Sequence, residues 1–210
     1  MGSPVAFFGE TGTTYFVDRM KQHGIGRIWS TKKPCLYPGE RWAFDNGAWS
    51  AYTSGTAFDD SAFNRRVAVA CNLESDPYMA VCPDIVAGGL KSLDFSMAWI
   101  DRLPDRWPWY LAVQDGMKVE NVAPIIDRFD GVFIGGTIQF KASSAMWKAF
   151  NVPVHYGRCG TRKRLRHAIE IGADSFDSST PIQNGGGVFD MFLDCYLNGD
   201  PQGWLLEAVG

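Results

Sequence analysis

Short apolar runs of about four or five residues recur along the chain, most of them ending in a Gly, Asp or Pro turn, and longer stretches with apolar residues at helical spacing lie between them. Residues 5–9 form the first predicted strand. Residues 13–23 follow as a helix that carries Tyr15, Phe16 and Met20 and is closed by Gly24. The GETGTT between them has the look of a phosphate loop but lacks its lysine, so it reads as a strand-to-helix turn. Strands are predicted at 27–30 and 41–44, joined by a Pro-rich loop without helical pattern. A helix at 59–73, a strand at 78–82 and a Gly-led amphipathic helix stopped by Pro104 come next. Then come a strand at 109–113, a helix at 119–129 that Pro124 must delay or kink, and a strand at 131–134. A helix at 143–150, a strand at 152–155, a basic helix at 162–171, a strand at 173–176 and a last helix at 187–197 complete the pattern.

Eight short strands, mostly alternating with helices, predict a compact (β/α)8 TIM-like barrel that spans residues 1–210 as one domain. The second βα unit lacks its helix, and a flavodoxin-like or other open sheet is the competing architecture. At 210 residues the chain is near the lower end for such a barrel.

Composition narrows the class. With 46% hydrophobic and 14% aromatic residues the chain has a globular core, and no apolar run approaches a membrane span, so a soluble cytoplasmic protein with no membrane partner is expected. Five scattered cysteines show neither zinc nor redox spacing, and neither metal nor cofactor is expected. The net charge of −3 argues against a uniformly basic nucleic-acid binder but leaves room for a local basic patch.

In a barrel, strand ends converge on one rim. That rim would collect Asp45, Asp84, Gln114, Gly135, Gly136 and Asp177. Asp84 and Gln114 offer the acceptors and donors that match a guanine-like edge. Gly135 and Gly136 let a flat ligand approach backbone N–H groups. Trp49 would stack on one face of the ligand and Tyr156 on the other, leaving Asp45 and Asp177 as proton carrier and nucleophile. Each residue also has a plainer use: an Asp at a strand end caps a turn, Gly-Gly makes one, and a tryptophan fills a core. Arg158, Arg162, Lys163, Arg164 and Arg166 form a basic run with no acidic residue among them, which suits either a nucleic-acid backbone or a solvated helix face.

Taken in chain order these motifs resemble the tRNA-guanine transglycosylase superfamily, and more closely its phage-type branch that inserts 7-deazaguanines into DNA. Asp45-Asn46-Gly47-Ala48-Trp49 is similar to the family's Asp-Ser-Gly-Gly-aromatic motif, and the strand ending in Pro83-Asp84 to its base-reading strand. Ala112-Val113-Gln114-Asp115-Gly116 is similar to its Val-Gln-Gly element, Phe133-Ile134-Gly135-Gly136-Thr137 to its Gly-Gly-Leu turn, and Asp174-Ser175-Phe176-Asp177 to its nucleophile motif. Lys141, Trp147 and His155-Tyr156-Gly157-Arg158 look like the phage-type branch.

The family's tRNA enzymes end in a Cys-x-Cys-x-x-Cys and His zinc site, which has no counterpart here. Ala48 replaces a glycine of the first motif, and Pro181-Ile182-Gln183 replaces the Pro-Thr-Arg that commonly follows the nucleophile. The resemblance implies a barrel without the zinc subdomain and a base exchange on DNA. Guanine would be replaced by a free 7-deazaguanine such as preQ0 through a covalent Asp177 intermediate. Alternatives are a tRNA substrate, hydrolysis in place of exchange, and a non-catalytic nucleic-acid-binding subunit working with a partner protein.

Overall fold

The structure, a computed structural model, describes residues 3–30 and 34–199. Eight parallel strands close into a barrel in sequence order: β1 (Val5–Gly9), β2 (Gly26–Trp29), β3 (Trp42–Phe44), β4 (Met79–Val81), β5 (Trp109–Val113), β6 (Gly131–Ile134), β7 (Val154–Tyr156) and β8 (Ser175–Ser178). The helices are α1 (Thr14–Gln22), α2 (Ala48–Thr53), α3 (Asp60–Ala70), α4 (Leu90–Ile100), α5 (Val119–Val122), α6 (Ile138–Ala142), α7 (Arg162–Glu170), α8 (Thr180–Gln183) and α9 (Gly186–Asn198). This is a (β/α)8 barrel, and the open-sheet alternative falls away because β1 pairs with β8 as well as β2. Among the described residues no helix is long and apolar enough to cross a membrane.

Period-2 alternation along the strands sorts side chains into two cores. Phe7, Ile28, Ala43, Met79, Val81, Tyr110 and Ala112 pack inside the barrel, with Phe133 against them. Phe8, Trp29, Trp42, Phe44, Trp109 and Phe176 point outward under the helices. Three of the interior residues are aromatic, and their bulk is admitted by glycines. A Cβ at Gly26 would lie 2.8 Å from the Phe7 ring, one at Gly131 2.6 Å from Tyr110, and one at Gly157 2.4 Å from Phe133. Large and small residues therefore complement each other across neighbouring strands.

Between β2 and β3 the described residues form no helix, in keeping with the sequence pattern. The space is filled by a buried ion pair. Arg27, which points outward from β2, bonds both Glu40 oxygens, and its side chain is 3% exposed against 0% for Glu40. It also donates to the Thr11 and Cys35 carbonyls and lies over Trp29. A charged hub thus holds the loop where an apolar helix would otherwise dock.

Several predicted boundaries shift. The 119–129 helix is split into α5 and a 3-10 turn at Ile126–Arg128, because Pro124 has no N–H to continue the ladder. The 143–150 helix is a 3-10 segment, Ser144–Phe150. The sequence pattern did not predict α2, α6 or α8. Strands seven and eight each begin two residues later than predicted, after Asn151 in a left-handed conformation and after the turn in which Ala173 N–H donates to Ala168.

Candidate active site

The shift of β8 changes the setting of Asp177. It lies within the strand at an inward position, not in a turn beyond it, and is 7% exposed. Its Oδ2 accepts from the Arg158 backbone N–H and from His155 Nε2, each at 3.0 Å. His155 is wholly buried on β7, its ring stacked on Phe133 at 5.0 Å, and its Nδ1 lies 2.8 Å from Ser175 Oγ. A carboxylate only accepts, so the imidazole proton sits on Nε2 and Nδ1 takes the Ser175 hydroxyl. Burial holds the His155 pKa below its ordinary value, against the pull of Asp177, which favours this neutral ring.

A cavity of about 720 Å³ opens at the carboxyl ends of the strands. Asp45, Trp49, Asp84, Gln114, Gly135, Gly136 and Arg158 all line it, as do Lys141, Arg164 and Ser178. Six of the eight residues predicted for catalysis and base binding therefore meet at one cavity, whose lining includes Ser178 but neither its neighbour Asp177 nor Tyr156. Asp45 accepts the Gly47 N–H at 2.6 Å. Burial pushes its carboxyl up to about 6, with the charge of Asp177 adding to the rise and the Gly47 bond opposing it.

Asp84 is held on both oxygens. Asn46 Nδ2 donates to Oδ1 at 2.8 Å and Gln114 Nε2 reaches Oδ2 at 3.5 Å. Asn46 also donates to the Cys82 carbonyl and accepts the Ala48 N–H, while Gln114 is anchored on the Ile85 carbonyl at 2.9 Å. Burial pushes Asp84 up to about 6, with Asn46 opposing. The arrangement fixes a carboxylate and an amide side by side in the cavity lining.

The glycine pair behaves differently from expectation. Gly135 spends its N–H on the Val113 carbonyl, so the offer of free backbone donors from both residues is corrected for this one. Gly136 has φ 73°, and a Cβ there would meet Asp115 Oδ2 at 2.6 Å, so its glycine is required by the turn as well. Trp49 stands 42% exposed at the mouth with the Arg158 guanidinium 3.8 Å over its ring.

Tyr156 is a correction. It points outward from β7, is 1% exposed, and packs between the barrel and its helices with Lys141 Nζ 4.9 Å above the ring. Strand alternation sends His155 inward and so sends Tyr156 away from any ligand.

The basic run also divides. Arg158, in a left-handed conformation at φ 53°, bonds Gly136 O through Nη2, and it lines the cavity together with Arg164. Arg162, Lys163 and Arg166 stand on α7 outside the cavity lining, with Lys163 exposed.

His155, Asn46, Lys141 and Ser178 are site residues to which motif reading gave no role. All four sit in a motif or next to one, so their position was visible while their partners were not. Lys141 is 4% exposed and donates to the Gly157 carbonyl. Burial, reinforced by Arg158 and Arg164, brings its ammonium down to about 7, with Asp177 opposing.

No protein-family model matches the sequence, and no curated protein matches it. Among solved structures the chain is similar to QR15, an aldolase, with a TM-score of 0.55 and 14% identity over 92% of this chain and 95% of that one. It is also similar to the N-acetylneuraminate lyase of Proteus mirabilis, with a TM-score of 0.49 and 10% identity over 93% of this chain and 80% of that one. At such identities the likeness speaks for the barrel alone.

Proposed function

We propose that the protein exchanges a guanine of DNA for a 7-deazaguanine such as preQ0, through a glycosyl intermediate on Asp177. The observation that carries this reading is the meeting of Asp84, Gln114 and the raised carboxyl of Asp45 at one cavity of nucleoside size, with the charge of Asp177 near enough to Asp45 to raise it. The target nucleotide must leave the stack to enter it. Asp177 then attacks C1′, the C1′–N9 bond breaks, and its electron pair departs with guanine, whose N9 takes the carboxyl proton of Asp45 and leaves Asp45 ionised. The new base enters the same pocket and gives its N9 proton to Asp45, and its N9 displaces Asp177 from the sugar. One difficult displacement thereby becomes two easier ones. A carboxyl that titrates near 6 suits the proton transfers at both stages.

The test is incorporation by purified protein into duplex DNA, single-stranded DNA and tRNA, each offered preQ0, its aminomethyl analogue or labelled guanine, read as nucleosides by mass spectrometry. A 7-deazaguanine deoxynucleoside that vanishes with Asp177→Ala is the expected result. Product from tRNA alone would overturn the DNA assignment, loss of guanine without uptake would indicate hydrolysis, and binding without either would make the chain a non-catalytic subunit.

A second reading draws on Lys141, a buried amine lowered to about 7 at the same cavity, as a Schiff-base former. Its Nζ is engaged by the Gly157 carbonyl and the Tyr156 ring, which disfavours attack on a carbonyl substrate.

A further inference from the structure

The turn that follows β3 is held from behind by a residue that does not line the cavity. Arg66 stands on α3, half-buried, with its guanidinium 5.3 Å over the Phe44 ring and 5.8 Å over that of Phe63. It donates to three main-chain carbonyls. Nη1 reaches Ser30 O and, at 3.0 Å, Asp45 O, while Nη2 reaches Asn46 O. A planar fork with five donors suits this task, because it ties the end of β2 to two successive residues beyond β3. Gly47 makes room for it. A Cβ there would lie 2.9 Å from Arg66 Nη2, and the residue has φ 82°.

The clamped turn carries both halves of the site. Asp45 and Asn46 give their carbonyls to Arg66 and line the cavity themselves, and Asn46 Nδ2 holds Asp84 Oδ1 at 2.8 Å. One guanidinium thus stands behind the raised carboxyl and behind the amide that fixes its neighbour. The charges around Asp45 come from several elements. Burial raises it, as do Asp177 on β8 and Glu10 beyond β1, while the Gly47 N–H and the Arg66 charge oppose them. Asp84 beyond β4 and Arg158 beyond β7 interact with the same carboxyl.

We propose that Arg66 is a positioning residue for this site: by clamping the Asp45–Asn46 turn it fixes the Asp45 carboxyl and, through Asn46, the carboxylate of Asp84. This rests on the base-exchange reading in one respect, that Asp45 carries the proton between the two bases. Fork and charge are separable by substitution. Lysine keeps the charge without the fork, and glutamine keeps neither.

The first measurements need no exchange. In a carbon-13 titration of the whole protein's carboxyl groups, the Asp45 signal is the one lost in Asp45→Asn. Its midpoint should rise in Arg66→Gln, which lacks the opposing cation, and stay near wild type in Arg66→Lys. Labelled guanine in equilibrium dialysis should bind both variants roughly tenfold more weakly, because Asn46 no longer holds Asp84 in place.

The second set follows base exchange against pH. The optimum of kcat should move to higher pH in Arg66→Gln, since Asp45 must ionise before it can take the N9 proton. In Arg66→Lys the optimum should stay while KM for the base rises roughly tenfold. A lower melting temperature in both variants, with the Asp45 midpoint and guanine affinity unmoved, would make Arg66 a structural residue and overturn the proposal. Exchange by both variants with the wild-type optimum and KM would overturn it too and leave base exchange standing. A raised midpoint and weakened guanine binding, in a protein whose wild type exchanges no base, would keep the positioning role and remove the base-exchange reading.

Discussion

His155→Phe is the sharpest probe of how Asp177 is readied for attack. The substitution keeps an aromatic ring of similar size against Phe133 and Phe7, so the interior packing survives. It removes the 3.0 Å donor to Asp177 Oδ2 and the 2.8 Å partner of Ser175, leaving the Arg158 N–H as the remaining bond to that oxygen. A hydrogen bond to a charged group contributes about 1.5–3 kcal/mol, and each 1.36 kcal/mol is tenfold in rate. Loss of this bond should therefore lower kcat by roughly 10- to 100-fold, because Oδ2 must be held whenever the partner oxygen bonds to or leaves C1′.

KM for the incoming base should stay within about twofold, since Asp84 and Gln114 are untouched. Rapid-quench measurement of the protein-linked sugar, alongside steady-state exchange, separates the two. Full burst amplitude and rate in His155→Phe would refute the positioning role. A rise in KM at constant kcat would refute it as well and make His155 a structural residue.

Asp84→Asn should flatten the pH dependence of stability. The folded-state carboxyl is raised to about 6 from an ordinary value near 4, so the folded protein holds the extra proton and stability falls as pH rises through that window. Above pH 6 the variant should melt higher than wild type, by up to about 3 kcal/mol, while guanine binding, which needs the ionised acceptor, is lost. Glu40→Gln strands a buried Arg27 charge and should cost about 3–5 kcal/mol, read as a lower urea midpoint with unchanged slope. Trp49→Ala should leave the melting temperature in place, because the ring is 42% exposed, and weaken single-stranded DNA by about 1–3 kcal/mol of stacking in a fluorescence titration. Borohydride with carbonyl substrates should leave the protein mass unchanged, and a reduced adduct on Lys141 would restore the Schiff-base reading.

Local rules account for much of this molecule. Strand β5 and strand β6 begin and end where alternation and turn residues place them, and the rim positions of Asp45, Gln114 and Gly135 follow from the same period-2 count. That count depends only on neighbours in the chain, so it is legible without a fold. Tyr156 would have been assigned outward by it as well, had the strand been carried through Tyr156 and not ended at 155, because only a residue inside the strand takes its face from the alternation.

What tertiary structure alone decided is which distant residues become partners. His155 meets Asp177 because β7 and β8 pair with His155 opposite Ser175, a register fixed by barrel closure and not by either strand. Arg27 and Glu40 meet because a missing helix leaves a space that only a folded barrel defines. Ser178 is an ordinary serine until the fold buries its hydroxyl with no partner among the described residues. Sequence carries the periodicity, which is local and short-ranged. Partnership, burial and charge balance arise from the closed geometry, because they depend on groups brought together from tens of residues apart.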